Sequence, residues 1–74
     1  MNKQRRKAIE LLGEQMETIK EELESIQSEE EEYFENMPES LQGSEKGEAA
    51  EEAISTIEES IDGMTTAIDS LQNI

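Results

Sequence analysis

Hydrophobic side chains recur at alternating intervals of three and four residues in both halves of the chain. In the first half only Glu30 interrupts the series, and in the second half it is unbroken. An average spacing of 3.5 residues, sustained over about four heptads, is typical of the core positions of a coiled coil or a helical bundle. The core positions that this pattern predicts are Ile9, Leu12, Met16, Ile19, Leu23, Ile26, Ile54, Ile57, Ile61, Met64, Ile68 and Leu71.

A break separates the two series at the segment MPESLQGSEKG. Pro38 disfavours helical geometry at the residue before it, and Ser44 followed by Glu45 is typical of a helix start. The pattern therefore predicts a single helical-hairpin domain over residues 1–74, with a first helix over about 3–36, a turn over about 37–44 and a second helix over about 45–73.

The two hydrophobic series also fit each other as an antiparallel pair. If the chain folds back on itself, Ile54 lies opposite Ile26 and Leu71 lies opposite Ile9. All the core positions between these two pairs then match as well, and the centre of the turn falls inside the predicted break. The sequence therefore predicts an all-α fold, an antiparallel two-helix hairpin with coiled-coil-like heptads.

Two helices bury only one seam, which is a small core for a chain of this length. The second helix also carries small residues beside its predicted seam, and these let another helix approach closely. They are Ala53, Ser60 and Ala67 in one heptad column and Ala49, Thr56, Gly63 and Ser70 in the next. We expect two hairpins to form a homodimeric four-helix bundle by two-fold symmetry. The competing interpretation leaves the small-residue face to another protein.

The chain is strongly acidic, with 20 Asp and Glu residues against 6 Lys and Arg residues and a formal net charge of −14. This balance argues against direct binding to nucleic acid or to an anionic membrane, and it favours partners with basic surfaces. Although MNKQRRK resembles the start of a signal peptide, Glu10 and Glu14 interrupt the segment that follows. The sequence therefore predicts neither a signal peptide nor a transmembrane span.

No residue pattern predicts catalysis. Histidine and cysteine are both absent, which excludes imidazole acid–base chemistry, thiolate chemistry and zinc sites of the usual kind. The glycines of the turn do not form a phosphate-binding loop, and the acidic runs do not reproduce a calcium-binding EF-hand loop. We expect no catalytic residue, no cofactor and no metal, and therefore no enzyme.

Acidic residues form an outer row on the first helix, opposite its predicted seam, and further acids lie on the outer side of the second helix. The predicted acidic interaction face consists of Glu10, Glu14, Glu17, Glu21, Glu24, Glu31, Glu35, Glu51, Glu58, Glu59 and Asp62. Rigid rows of carboxylates imitate the phosphate array of a nucleic-acid duplex. The alternative is that they only keep the bundle soluble. A surface built for solubility mixes Lys with Glu, whereas the middle of this chain holds only Lys20 and Lys46.

The segment around the predicted turn combines acidic and aromatic residues. Glu30 occupies a core position, so the turn end is expected to be open or splayed. The cluster nearby consists of Tyr33, Phe34, Met37 and Leu41. It either closes the hairpin as a hydrophobic plug or offers an exposed aromatic anchor, surrounded by carboxylates, to a basic protein surface.

From Tyr33 onward, YFENMPESLQGSEKGEAAEEAISTIEESIDGMTTAIDSLQNI resembles small acidic helical proteins of unknown function from phages and prophages of Gram-positive bacteria. The resemblance depends on the NMPESLQGSEKGEA turn and the Ile/Leu and acidic heptads after it, with a looser match over the first helix. It brings no functional residues with it. It implies a phage origin and a cytoplasmic location in the host cell, and small acidic phage proteins often block host factors.

Two functions from different classes follow from these features. The first is a non-enzymatic acidic protein-interaction module, a phage-type inhibitor that mimics nucleic-acid charge to block a basic, nucleic-acid-binding host protein. The second is a structural coiled-coil oligomerisation module with no inhibitory role, in which the charge supplies only solubility. A third interpretation, an adaptor for another helix, predicts a monomer with exposed apolar surface.

Overall fold

The computed structural model describes residues 1–74 and contains three helices and no strand. Helix α1 spans Lys3–Glu35, α2 is a short helical turn over Glu39–Gln42, and α3 spans Glu45–Gln72. Helices α1 and α3 pack against each other as a hairpin, which confirms the predicted all-α fold. Each long helix ends one residue before its predicted end, and α2 lies within the segment predicted as a turn.

Both long helices begin where a polar residue precedes them, although only one side chain acts as a cap. The Asn2 side chain accepts a hydrogen bond from the Arg5 backbone N–H at 2.8 Å, which satisfies one of the free donors at the start of α1. Ser44 precedes α3, as predicted, but its hydroxyl donates to the Leu41 carbonyl instead of accepting from α3. Ser44 therefore joins the end of α2 to the start of α3.

The Gln42 side chain connects the turn to the end of α1. Its amide nitrogen donates to the backbone carbonyls of Phe34 at 3.2 Å and Met37 at 3.3 Å. The last carbonyls of a helix have no partner within the helix, so this amide provides one from outside. Phe34 and Met37 are half-buried, whereas the neighbouring Tyr33 is exposed.

The seam between the long helices follows the predicted positions on α3 but only half of them on α1. From α3, Ile68 is 5% exposed and the other predicted core residues are half-buried, and Ala50, which precedes them in the same series, is 2% exposed. From α1, Ile9, Met16 and Leu23 are half-buried as predicted. The second column that α1 turns toward α3 consists of Gly13, Lys20, Gln27 and Phe34, all half-buried.

Leu12, Ile19 and Ile26 do not lie in the seam of the hairpin, which differs from the prediction. Their side chains are 54%, 49% and 50% exposed. At about 100° per residue, the observed seam is rotated by about 50° around α1 from the predicted one. The half-buried Phe34 and the exposed Tyr33 show the same rotation at the turn end.

The hairpin is a thin rod with little interior. Its Cα atoms extend over 58 × 14 × 13 Å with a radius of gyration of 17.0 Å, whereas a compact domain of this length has a radius of about 11 Å. Ala50 and Ile68 are its only buried hydrophobic residues. No helix combines the length and the apolar composition that crossing a membrane requires.

Candidate interaction surfaces

The two long sides of the hairpin differ in chemistry. An open groove of about 320 Å³, at the end opposite the turn, establishes which heptad columns of the two helices lie on the same side of the hairpin. Glu10 and Glu17 of α1 line this groove together with Gln72 of α3. The column of Glu10 and Glu17 and the column of Glu51, Glu58 and Gln72 therefore lie on the same side of the seam. The columns on the other flank of each helix share the opposite side.

The first side carries the residues of the predicted acidic face and is therefore called the acidic face. Of the eleven acidic residues predicted for it, only Glu17 is half-buried, and all the others are exposed. The structure thus brings the acidic columns of both helices to adjoining parts of one surface. The row on α1 flanks the seam, whereas the prediction placed it opposite the seam. The same rotation of α1 explains this difference.

Almost no cation balances the acidic face. The single ion pair of the molecule joins the Lys20 ammonium to a Glu17 carboxylate oxygen at 3.7 Å. The remaining carboxylates face solvent as like charges, many of them separated by three or four residues along one helix. Such neighbours repel each other. The face therefore carries a dense negative charge that the chain itself does not neutralise.

The density of this charge can be compared with that of a duplex. From Glu10 to Glu35 the face extends over about 38 Å at 1.5 Å per residue. Its eleven acids therefore supply about one charge per 3.5 Å. Duplex DNA carries about one charge per 1.7 Å along its axis, and each strand carries about one per 3.4 Å. The acidic face approaches the charge density of a single strand of a duplex.

The second side is an uncharged face that the sequence pattern did not distinguish from the seam. From α1 it contains a stripe of large side chains, and from α3 it contains small ones: Leu12, Ile19, Ile26 and Tyr33, with Ala53, Ser60 and Ala67. The members of the α1 stripe are 47% to 54% exposed. The next heptad column of α3, which contains Ala49, Thr56, Gly63 and Ser70, also consists of small residues. A seven-residue repeat marks the stripe in the sequence, but that repeat does not reveal whether the stripe is inside the hairpin.

The cluster at the turn end is divided between interior and surface. Phe34 and Met37 are half-buried, whereas Tyr33 and Leu41 are 47% and 46% exposed. Glu30, at its core position, is half-buried. One aromatic ring therefore helps to close the hairpin, as the plug interpretation expects. The other ring extends the uncharged face toward the turn.

The arrangement of polar groups supplies no other site. No three acidic side chains converge closely enough to hold a metal ion. The groove at the open end is a widening of the seam over Gly13, between Ile9 and Leu71. The two faces are therefore the candidate functional surfaces of the molecule.

No protein-family model, no curated protein and no solved structure matches the chain.

Proposed function

We propose that this chain is a non-enzymatic protein-interaction module whose acidic face binds a basic, nucleic-acid-binding protein. By occupying the surface that normally contacts phosphates, it acts as an inhibitor that mimics nucleic-acid charge. A phage origin, with a host protein as the target, belongs to the same proposal. The single observation that supports it is the gathering of carboxylates from both helices on one side of the rod.

The charge and shape of that side fit this role. Its carboxylates lie on two rigid helices, so a partner binds them without ordering a flexible chain. Their field also steers a basic protein toward the rod and raises the association rate, most strongly at low salt. A surface needed only for solubility does not require one sign of charge on one side, and mixed charges achieve solubility without repulsion.

Charge reversal tests the proposal. The test variant carries Glu10→Lys, Glu24→Lys and Glu31→Lys, which are exposed on the acidic face and make no ion pair. The control carries Glu29→Lys, Glu32→Lys and Glu39→Lys, which are also exposed but do not belong to that face. Both variants change the net charge by the same amount, so only the position of the charges differs.

Each immobilised variant is incubated with nuclease-treated bacterial lysate, and bound proteins are then challenged with a duplex oligonucleotide at constant ionic strength. We expect the unmodified chain and the control to retain nucleic-acid-binding proteins that the duplex releases. The test variant should retain at most a tenth as much. Equal retention by the two variants, or release by salt but not by the duplex, contradicts the proposal.

The second candidate function is the oligomerisation module, which the half-exposed apolar stripe of α1 favours. A stripe of Leu and Ile side chains left in water is unfavourable by about 25 cal/mol for each Å² of apolar surface. In this function Ile61→Asp, in the seam, abolishes assembly, whereas reversal of the acidic face leaves assembly unchanged. Sedimentation of both variants distinguishes this function from the first.

A further inference from the structure

We propose that a second copy of this chain covers the uncharged face, with α1 of each copy packed antiparallel against α3 of the other. The two-fold axis runs parallel to the rod, so both turns lie at the same end of a four-helix bundle. The inference does not depend on a basic partner for the acidic face. It names the partner that the oligomerisation function requires.

Side-chain volumes across the two copies are complementary in this arrangement. A two-fold axis parallel to the rod keeps each residue at its own height. The groove at the open end is lined by Ile9 and Gly13 of α1 and by Ile68 and Leu71 of α3, so these residues lie at about the same height. Leu12 of one copy then meets Ala67 of the other. Seven residues closer to the turn on both helices, Ile19 lies opposite Ser60, and after seven more Ile26 lies opposite Ala53. Large side chains face small ones in these three layers, which allows close helix packing, and Tyr33 lies opposite Lys46 at the turn end.

The distribution of charge permits the same approach. No acidic residue occupies the two columns with which α3 contributes to this side of the rod. Glu22, at the edge of the α1 stripe, therefore lies near Thr56 of the second copy. The acidic faces of the two copies point away from each other, on opposite sides of the bundle. Two strongly acidic chains can thus associate without placing their carboxylates in contact.

The rival arrangement has its two-fold axis across the rod and packs α1 against α1. The large side chains then meet one another while the small ones of α3 meet across a gap, so the spacing of the helices is uneven. Glu22 of each copy also lies beside Glu22 of the other at the axis, which is a like-charge contact. Volume and charge both favour pairing α1 with α3.

The area of the face is sufficient for a stable dimer. The stripe from Leu12 to Tyr33 is about 32 Å long, and two helices side by side are about 20 Å wide. The flat footprint is therefore about 640 Å², and the accessible surface is larger because the side chains corrugate it. A standard protein interface buries about 800 Å² on each partner.

Disulfide cross-linking tests the pairing, since the chain contains no cysteine of its own. The pair Ile26→Cys with Ala53→Cys joins two copies only in the proposed arrangement, and the pair Ile19→Cys with Ile26→Cys joins them only in the rival one. Glu24→Cys, on the acidic face, measures random collision. None of these positions is buried inside the hairpin. Helical content measured by circular dichroism verifies that the variants fold.

We expect the unmodified chain to have twice its 8.4 kDa mass by light scattering at low and at high salt. Under mild oxidation, the first cysteine pair should form covalent dimer at least tenfold faster than the Glu24→Cys control, and the second pair should not. A monomer in solution, or cross-linking at the control rate, overturns the proposal and leaves the face to a helix of another protein. Faster cross-linking of the second pair overturns the proposed orientation. None of these outcomes alters the lysate experiment on the acidic face.

Discussion

At the residue scale, the turn depends on two side chains whose roles are geometric. Gln42 donates to two carbonyls near the end of α1, and Gly47 is buried in the first turn of α3. A Cβ atom at Gly47 would collide with the backbone carbonyl of Gln42. Gly47 therefore allows the turn to pass directly over α3, and no positive φ is involved.

Gly47→Ala should destabilise the hairpin, because the added methyl group forces the turn backbone away from α3. Overpacking of this kind costs about 1–3 kcal/mol in unfolding free energy. Gly13→Ala is the matched control, since no atom lies within 4 Å of a Cβ built there. The unfolding free energy of the control should rise by up to about 1 kcal/mol, because alanine has a higher helix propensity than glycine. Urea unfolding followed by circular dichroism measures both, and a gain at Gly47 would contradict the predicted collision.

At the scale of the elements, α1 has more apolar surface than one partner helix can cover. Its three adjoining columns begin with Leu12, Ile9 and Gly13, and α3 covers only the last two. The column that starts at Gly13 continues through Lys20 and Gln27, so polar groups enter the seam while Ile19 and Ile26 remain outside. The half-buried Phe34 continues the same column to the turn end.

Gln27→Leu should stabilise the hairpin, because it replaces a half-buried amide in the observed seam with an apolar side chain. The expected gain is about 1 kcal/mol of unfolding free energy. Ser25→Leu, on the exposed outer side of α1, is the control and should change stability by less than about 0.5 kcal/mol. Thermal unfolding at one low protein concentration compares the two. Equal effects would mean that Gln27 is not in the seam.

At the scale of the whole molecule, the rod separates charge from apolar surface. One side collects carboxylates with one ion pair among them, and the other collects Leu, Ile and small residues. Repulsion along the acidic side opposes the fold, and the half-exposed stripe on the other side leaves apolar surface in water. The two proposals would make both features favourable: a basic protein would cover one side and a second copy the other.

Added salt should stabilise the protein, because screening weakens the repulsion among unpaired carboxylates. The Debye length falls from about 30 Å at 0.01 M to about 10 Å at 0.1 M. We expect a gain on the order of 1 kcal/mol, or a rise of about 5 °C in Tm, between these conditions at fixed protein concentration. The variant with Glu10→Gln, Glu14→Gln and Glu21→Gln is the comparison, and its Tm should rise by clearly less. A fall in Tm with salt would show that favourable ion pairs dominate.

The sequence by itself determined which segments are helical, where the chain turns and how the helices align along their length. These features depend on local signals, namely the heptad spacing, Pro38 at the break and the polar residues before each helix. Ile9 beside Leu71 in the groove agrees with the predicted pairing. The heptad spacing and the position of the break together predict this antiparallel pairing.

Only the tertiary structure decided how α1 is rotated about its axis. Hydrophobic spacing favours Leu12, Ile19 and Ile26 as strongly as Ile9, Met16 and Leu23, since it records apolar character but not the neighbour that covers it. The turn hydrogen bonds of Gln42 and the close approach at Gly47 join residues five to eight positions apart and have no signal in that spacing. In the folded chain Phe34 is half-buried and the stripe from Leu12 to Tyr33 is exposed. The uncharged face therefore exists because a hairpin of two helices can cover only part of α1.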